Sequence, residues 1–589
     1  MRWIFSVFVL VCIAAPARTE DWRTYYEKSG FLETPRYEET VRYCRRLAQA
    51  SPWIEYTTFG TSPRGRDLAL LIVDRNGNFT AEKVRKTDNV VFLIQAGIHA
   101  GEIDGKDAGL MLIRDIAIDK KLSSLLDEVT ILFMPIFNVD GHERFGPYGR
   151  ANQNGPKEMG WRTTAVNLNL NRDYLKADAA EMQAWLRLYN EWLPEFFADC
   201  HVTDGADYQY VVTYAVELFG NMDERLTAWA REKYVNPLGE KMDKSGFPII
   251  RYNTYRSHHE PQSGLVCWAS PPRFSTGYAA QQNRPAILIE THVLKDYKTR
   301  VTATYEVLKH TLEILNQEHA SLKTAVLEAD RRTASPDFRA GPFPLTFRSA
   351  GDSVLIDFLG YDCDVVDSDV TGGKWHRFGR NPVTMQIPYF NHLTPDLTAE
   401  LPEAYILPPK WTEVIKRLKL HGVELKYLGH ERVVPVRSYR FTDPKWASQP
   451  YEGRFTVDFT PQNITEARVY PKGSVVVDMN QRTARVVAQA LEPRGQDSFV
   501  FWGFFNTIFE RKEYIESYII EDLARKMLAT DEELKREFEE KKASDPEFMG
   551  NPWRVRNWFY QKTPYWDNNI GFYPVGKIVD RGTLAEVMK

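Results

Sequence analysis

The chain is 589 residues long, with 43% hydrophobic and 26% charged residues, which is the composition of an ordinary globular protein. This length exceeds what a single hydrophobic core usually organises, so it predicts two domains or three. The formal net charge is -4 and no basic block stands out, so the sequence gives no sign of nucleic-acid binding.

Residues 1–17 have the layout of a secretory signal peptide. Arg2 precedes an apolar stretch from Trp3 to Ala15, and small residues then lead to a cleavage position after Ala17. The apolar stretch is shorter than the roughly 20 residues that a membrane-spanning helix needs. We therefore expect a secreted or periplasmic protein without stable membrane insertion after cleavage; an uncleaved N-terminal anchor is the alternative.

The cysteines beyond this segment show no legible disulfide pattern. They are widely spaced, without any Cys-x-x-Cys pair: Cys44, Cys200, Cys267 and Cys363. A chain of this size does not depend on a disulfide framework. We expect buried free thiols, and disulfide pairing stays open.

The first large unit, residues 22–334, alternates between apolar runs and helical patterns. Two stretches have helical character, 177–193 and 299–329. The apolar runs suit strands that are buried on both faces: DLALLIVDR, NVVFLIQAG, VTILFMPIFN, EFFADCHV and PAILIETHV. This alternation predicts an α/β fold with a mixed, mostly parallel sheet flanked by helices.

The second unit, residues 335–589, has a different texture. A proline-rich segment at 336–344 reads as its entry, and β-like runs follow it. One helix is well marked in LPPKWTEVIKRLKLHG, and a charged amphipathic pair of helices is predicted at about 513–545. We find no cluster of chemically active residues here, and predict a mixed α+β accessory domain of unknown role.

Polar side chains lie at or near the ends of several predicted strands. They are His99, Asn138, His201 and Glu290. In α/β sheets, functional sites collect beyond the carboxyl ends of the strands. This shared placement predicts a site at one edge of the sheet.

The strand-end residues include the parts of a metal site. His99 and Glu102 are three residues apart, and His201 lies far along the chain. Two histidines and one glutamate form a known ligand set for a catalytic zinc ion. Glu290 ends an apolar run, where a carboxylate is costly to bury unless it is paired or functional, so it is the candidate general base.

A polar loop supplies candidate substrate-binding residues. The segment GWRTTAVNLNLNRDY carries Arg162, Asn171 and Arg172. An arginine can bind a carboxylate with two hydrogen bonds, and a neighbouring asparagine can add a donor. A second arginine could face an oxyanion that develops during the reaction.

Taken in this order, these motifs resemble the zinc carboxypeptidases of the carboxypeptidase A type, the funnelin family. The resemblance rests on the His-x-x-Glu pair, NVDG (138–141), the NLNRD segment and the glutamate of ILIETH, and it covers roughly residues 22–325. It implies one zinc ion, held by His99, Glu102 and His201. It also implies that the unit at 22–334 is the catalytic domain.

The resemblance also assigns the other roles. Glu290 would be the general base and acid, and Arg162 would polarise the scissile carbonyl. Asn171 and Arg172 would grip the terminal carboxylate of the substrate. The family uses a mobile tyrosine upstream of the catalytic glutamate, and Tyr278 is the candidate, although its spacing is shorter than in the family.

The sequence departs from the family pattern at two places. Ala100 and Gly101 stand inside the first motif, where digestive members carry an arginine, so the substrate contacts of that arginine are expected to be absent. Asn169 stands where the family has an aspartate behind a zinc-binding histidine. An amide oxygen can still accept a hydrogen bond from the imidazole N–H, but it supports the metal ion less than the charge of an aspartate would.

The sequence therefore predicts an exported zinc metallocarboxypeptidase that hydrolyses C-terminal peptide bonds of peptides or proteins. The short distance from the signal to His99 leaves no room for a long propeptide, so we expect activity without N-terminal proteolysis. One alternative keeps the zinc site and cleaves γ-D-glutamyl peptides of cell walls. Another is a non-catalytic metal- or ligand-binding protein. Two N-x-T sequons, at Asn78 and Asn463, matter only in a host that glycosylates exported proteins.

Overall fold

The structure is a computed structural model that describes residues 20–252, 254–257 and 259–589. The predicted signal peptide and its cleavage position lie outside the described residues. The helices are α1 (Tyr25–Lys28), α2 (Tyr37–Ala50), α3 (Ala81–Val84), α4 (Asp104–Ala117), α5 (Val139–His142), α6 (Ala180–Trp192), α7 (Glu224–Trp229), α8 (Asn236–Lys244), α9 (Ser275–Gln281), α10 (Tyr297–Thr333), α11 (Thr412–Leu420), α12 (Ala484–Leu491), α13 (Ser517–Thr530), α14 (Glu532–Ser544), α15 (Pro552–Gln561) and α16 (Arg581–Val587).

The strands of the N-terminal region are β1 (Ile54–Thr61), β2 (Asp67–Val73), β3 (Val90–Gln95), β4 (Val129–Met134), β5 (Phe196–Thr203), β6 (Val212–Ala215), β7 (Ile249–Arg251), β8 (Thr254–Ser257), β9 (Glu260–Val266) and β10 (Ala286–His292). Those of the C-terminal region are β11 (Phe343–Pro344), β12 (Phe347–Ser349), β13 (Val354–Asp367), β14 (Lys374–Phe390), β15 (Leu393–Pro395), β16 (Thr398–Ala399), β17 (Ala404–Leu407), β18 (Lys426–Tyr427), β19 (Arg432–Trp446), β20 (Val457–Tyr470), β21 (Val475–Asp478) and β22 (Gly576–Ile578).

An eight-stranded sheet of described residues forms the centre of the N-terminal region, in the order β1-β2-β4-β3-β5-β10-β6-β7. The central strands β4, β3, β5 and β10 run parallel, and β1, β2 and β6 are joined to the sheet by antiparallel pairing. Every residue of β3, β4 and β10 is buried, because both faces of the sheet are covered. The predicted mixed, mostly parallel α/β sheet is confirmed, and each of the five apolar runs forms one of its strands.

Helices cover both faces of this sheet. On one face α10 packs along α4, and their apolar side chains join those of β3 and β4 in one core cluster. Helix α10 begins after Asp296, whose side chain accepts a hydrogen bond from the Thr299 backbone N–H at 3.0 Å. On the other face α6 buries Trp185 and Tyr189 in a second cluster. The two helical stretches predicted from the sequence are therefore α6 and α10.

The strands of the C-terminal region form two larger sheets of described residues and two small two-stranded ones, β11–β16 and β12–β15. A six-stranded sheet has the order β18-β21-β17-β22-β19-β20, and a four-stranded sheet joins the long β13–β14 hairpin to β9 and β8 of the N-terminal region. Helix α11 and the pair α13–α14 match the helices expected from the sequence. The mixed α+β character predicted for this region agrees with these elements.

The two regions share one hydrophobic core. Trp185 and Tyr278 of the N-terminal region lie in the same buried cluster as Tyr405 and Val475 of the C-terminal region. Helix α10 ends at Thr333, so the chain does change its architecture near the predicted boundary at 334/335. The division into two domains stays a prediction, since packing runs across it.

Among the described residues, no helix is both long and apolar enough to cross a membrane. No disulfide joins the four cysteines of the described residues: Cys44, Cys200 and Cys267 are buried thiols, as expected, whereas Cys363 is exposed.

Candidate active site

The predicted metal ligands and the predicted base meet at the carboxyl edge of the central strands. His201 on β5 and Glu290 on β10 are direct partners in the parallel register. His99 and Glu102 lie in the turn between β3 and α4, and β3 is the neighbour of β5. His99, Glu102 and His201 each contribute one ligand atom, and these three atoms lie within 4.8 Å of one another. All three residues are buried. The structure thus brings together residues that lie far apart in the sequence.

Each histidine is held from behind, so that its Nδ1 atom faces the site. His99 Nε2 lies 3.0 Å from Asn169 Oδ1, and His201 Nε2 lies 2.8 Å from Asp199 Oδ2. Because an amide or carboxylate oxygen only accepts, each Nε2 is the protonated nitrogen and each Nδ1 is turned inward. The two Nδ1 atoms are 3.2 Å apart, with Glu102 Oε2 at 3.1 Å from both. Such a convergence of acceptors fits a cation, and the ligand set fits zinc.

Protonation of the histidines differs because their surroundings differ. Burial lowers the pKa of His99 to about 4, so its imidazole is neutral at pH 7. Burial alone would lower the pKa of His201 too, but the Asp199 carboxylate raises it well above its usual value. Metal ligands must be deprotonated, so a metal ion has to displace a proton from this second imidazole.

Glu102 carries a negative charge that two arginines share. Its Oε1 atom lies 2.8 Å from Arg150 Nη2 and 3.2 Å from Arg162 Nη1. Burial alone would raise the pKa of Glu102, but His99 and Arg150 lower it well below its usual value. Glu102 is therefore ionised, as a metal ligand must be.

Arg150 was not predicted from the sequence, and its side chain lies against Gly101 of the first motif. A Cβ atom placed on Gly101 would lie 2.7 Å from Arg150 Cγ. The side chain of Arg150 thus fills the space that a side chain inside the motif would need. A cation reaches Glu102 from a distant loop, a contact for which the sequence carries no short-range signal.

Glu290 is buried beside this cluster, with only 8% of the residue exposed, and its carboxylate forms no hydrogen bond with the described residues. Burial raises the pKa of Glu290 to about 8; His201 opposes this shift and the Glu102 carboxylate adds to it. A carboxyl group with a pKa near neutrality can both accept and return a proton.

The substrate-binding candidates line the same cleft. A cavity of about 170 Å³ is bordered by His99, Arg162, Asn171, Arg172 and Glu290, among others. The Oδ1 atom of Asn171 is buried without a hydrogen-bond partner among the described residues. The Arg172 guanidinium lies 4.3 Å from the centre of the Phe274 ring, at the wall of this cavity.

Tyr278 does not reach the cleft, and its assignment as a substrate-binding residue needs correction. Every residue of its helix, α9, is buried, and the Tyr278 side chain points into the shared core. Its hydroxyl lies 2.9 Å from His421 Nδ1 and accepts from Gln282 Nε2 at 2.8 Å. Tyr252 is the tyrosine that borders the cavity, and it precedes Glu290 by a longer segment.

The C-terminal region contacts the loop that carries the candidate substrate-binding pair, Asn171 and Arg172. Glu452, between β19 and β20, accepts a hydrogen bond from the Asn169 backbone N–H at 2.8 Å. Nearby, Arg454 donates to both oxygens of Asp178 at 2.6 and 2.7 Å. Asn169 Oδ1 in turn accepts from the Asn171 N–H at 3.0 Å. Glu452 therefore supports the residue that orients His99.

Comparison with known proteins agrees with this geometry. Residues 40–198 match the Peptidase_M14 family, described as zinc carboxypeptidase. The chain is 25% identical to Carboxypeptidase 2 of Trichophyton rubrum over 507 residues, which is 83% of this chain and 88% of that protein. It is 26% identical to Carboxypeptidase 2 of Trichophyton tonsurans over 80% of this chain and 84% of that protein.

Among solved structures, carboxypeptidase A from Helicoverpa armigera is similar to this chain at 17% identity, with a TM-score of 0.37. The match covers 49% of this chain and 74% of that one. A metallo-carboxypeptidase from Pseudomonas aeruginosa is similar at 19% identity and a TM-score of 0.36, over 49% of this chain and 69% of that one.

Proposed function

We propose that this chain is an exported enzyme that removes residues from the C-termini of peptides or proteins. It carries a zinc carboxypeptidase domain of the Peptidase_M14 family and is a peptide hydrolase. One observation carries the proposal. Three ligand atoms of His99, Glu102 and His201 lie within 4.8 Å of one another, and His99 borders the same cavity as Glu290 and Asn171.

The ligand set would hold one zinc ion. His99, Glu102 and His201 present two imidazole nitrogens and one carboxylate, and the other nitrogen of each ring is already engaged. Zinc bound there would act as a Lewis acid that polarises the scissile carbonyl and makes water a better nucleophile.

Glu290 and Arg162 would do the remaining work at the scissile bond. The Glu290 carboxylate accepts the proton that the attacking water loses and returns it to the leaving amine. Burial raises the pKa of Glu290 to about 8 in the protein without a metal ion, and the positive charge of a zinc ion at the neighbouring ligands would lower this pKa, so that Glu290 could accept a proton near neutral pH. The Arg162 guanidinium, which is also paired with Glu102, stabilises the negative charge that develops on the carbonyl oxygen.

Asn171 and Arg172 would restrict cleavage to the last residue of a chain. The guanidinium binds the terminal carboxylate of the substrate, and the Asn171 amide adds a hydrogen bond. A peptide with a blocked C-terminus lacks the charge that this pair recognises. Export rests on the signal-like segment at residues 1–17.

Two peptides that differ only in a free or amidated C-terminus test the proposal. The zinc-loaded protein is incubated with each, and release of free amino acid is followed by mass spectrometry. We expect stepwise loss from the free acid alone, none after zinc is chelated, and none from the Glu290→Ala variant. Equal cleavage of both peptides would contradict the carboxylate grip. If neither peptide is cleaved but a γ-D-glutamyl peptide is, the substrates would instead be cell-wall peptides.

A further inference from the structure

The cavity beside the metal ligands continues to an end that the mechanism does not use. Strand β6 runs antiparallel to β10, with Thr213 opposite Glu290 and Ala215 opposite Leu288. Along this line the cavity wall passes from Glu290 to Leu288 and Ala215, and then to Glu217. The cavity thus has the scissile-bond residues near one end and a second carboxylate further along.

Glu217 is buried and contacts only neutral donors. It is 4% exposed and accepts hydrogen bonds from Asn221 Nδ2 at 2.6 Å, the Ser270 N–H at 3.3 Å and Thr276 Oγ1 at 3.2 Å. No lysine, arginine or histidine nitrogen of the described residues lies within 4.0 Å of its carboxylate. A buried carboxylate without a cation is costly, and burial raises the pKa of Glu217.

Arg251 shares this part of the cavity but is turned toward the wall. Its Nη2 atom donates to the Val216 carbonyl at 2.8 Å, and its guanidinium lies 4.8 Å from the centre of the Phe219 ring. Its charge lowers the pKa of Glu217 against the larger effect of burial. It favours the ionised form of Glu217 without forming an ion pair with it.

We propose that this end of the cavity receives the side chain of the substrate's C-terminal residue, and that Glu217 selects lysine or arginine there. The inference rests on the proposed function, because Asn171 and Arg172 must first hold the terminal carboxylate. The side chain of the residue so held has to occupy the rest of the cavity. The whole cavity measures about 170 Å³ and the terminal carboxylate takes up the end at Asn171 and Arg172, so the part that remains for the side chain is smaller than this.

A cationic side chain of the substrate would supply the ion-pair partner that the Glu217 carboxylate lacks. The carboxylate keeps spare acceptor capacity, since its two oxygens can accept about four hydrogen bonds and three groups donate to them. The apolar stem of lysine or arginine would pass Leu288 and Phe219, and its charged end would reach the carboxylate. An apolar side chain of equal length would leave the buried charge uncompensated.

Peptides with one shared sequence and different free C-terminal residues test this inference. The residues are lysine, arginine, glutamate and norleucine, which has nearly the shape of lysine without its ammonium group. For the zinc-loaded protein we expect kcat/KM for lysine and arginine to exceed that for norleucine by at least about tenfold, the value of one charged hydrogen bond. Glutamate should be the poorest substrate.

Three variants separate charge from structure. Glu217→Gln keeps the shape and removes the charge, so the lysine-to-norleucine ratio of kcat/KM should fall to within about threefold. Glu217→Asp retains the charge and should keep part of the preference. Thr276→Val removes one donor to Glu217 and leaves the charge, so its ratio should stay above about tenfold.

Several results would overturn the inference. A wild-type ratio near one, or a preference for glutamate, would show that Glu217 does not select the side chain. Equal losses for lysine and norleucine peptides in Glu217→Gln would make Glu217 a structural clamp for Ser270 and Thr276. The comparison of peptides with the wild-type protein decides the matter even if that variant does not fold. Absence of cleavage for every free-acid peptide would instead refute the proposed function itself.

Discussion

Two buried ionic clusters, one in each region of the molecule, are built on opposite principles. In the C-terminal sheet, Lys577 donates to Glu492 at 2.7 Å, to the Tyr439 hydroxyl at 3.0 Å and to the Glu400 carbonyl at 3.2 Å. All three protons of its ammonium group are used. In the N-terminal region, the Nδ1 atoms of His99 and His201 face each other at 3.2 Å, and the proton that His201 carries is the only one directed between them.

The contrast separates a structural cluster from a binding one. The C-terminal cluster contains its own cation, so it is complete as folded. The N-terminal cluster turns three ligand atoms toward a common point, where a proton on His201 can be exchanged for a metal ion. We therefore expect damage to the first to cost stability and damage to the second to cost zinc affinity or activity.

The largest expected effect follows from Glu290→Gln. Loss of the proton acceptor should lower kcat/KM for a free-acid peptide by about 10²- to 10⁴-fold. Bound zinc, measured by elemental mass spectrometry, should be unchanged, because Glu290 is not one of the predicted ligands. Loss of zinc from this variant would mean that Glu290 is a ligand, and the division of roles within the cluster would be wrong.

The opposite behaviour is expected of Lys577→Met. Removing the cation leaves Glu492 buried and unpaired, so the free energy of unfolding should fall by about 3–5 kcal/mol. Zinc content should not change. Denaturant unfolding measures the effect, and adding Glu492→Gln should restore much of the loss. Lys426→Met is a matched control, since Lys426 is exposed, contacts Asp478 at 3.2 Å and should contribute less than about 1 kcal/mol.

A third buried carboxylate, Glu181 of α6, has neither a cation nor a hydrogen-bond donor as partner among the described residues. Both of its oxygens lack a hydrogen-bond partner among the described residues, and burial raises its pKa to about 7. The folded state therefore holds a proton that the unfolded state releases between about pH 4.5 and 7, so this group destabilises the protein as pH rises through that window.

Glu181→Gln should remove this pH dependence. At pH 8 it should raise the free energy of unfolding by up to about 3 kcal/mol, and at pH 4 it should have little effect. Denaturant unfolding of wild type and variant at the two pH values measures the difference. The same gain at both pH values would show that Glu181 does not titrate in this range.

The smallest expected effect concerns the support of His99. Asn169→Ala removes the acceptor behind His99 Nε2, so zinc affinity should fall about 10- to 100-fold. Competition with a fluorescent chelator measures it. Asn169→Asp keeps an acceptor and adds a charge, so its affinity should equal or exceed that of the wild type. A loss of equal size in both variants would point to distortion of the loop rather than to the hydrogen bond.

Much of the catalytic half could be predicted from its sequence because its signals are local. The strands are continuous apolar runs, and the central ones lie in a sheet covered on both faces, so hydrophobicity alone marks them. His99, Glu102, His201 and Glu290 follow or end such runs, and strand ends meet at one edge. Asp199 was missed, yet it lies two residues before His201, and alternation along a strand puts both side chains on one face.

Other features depend on contacts that the sequence does not reveal. Tyr278 has a suitable place in the order of motifs, but α9 turns its side chain into the core. The order of motifs along the chain does not determine the direction in which a side chain points. Arg150 reaches Glu102 from a loop without regular structure. In the long hairpin, the run in β13 was visible, whereas β14 contains Gly379 and Pro382 and alternates between exposed and half-buried residues, which weakens its pattern.

The contact between Glu452 and Asn169 bears on how the molecule can be divided. A fragment that ends at the predicted boundary would lose this acceptor, the Arg454–Asp178 ion pair and the C-terminal side of the shared core. It would expose Tyr278 and its neighbours to water and would be prone to aggregate. The two regions should therefore unfold together in one cooperative transition, and the C-terminal region should not be removable without loss of the N-terminal fold.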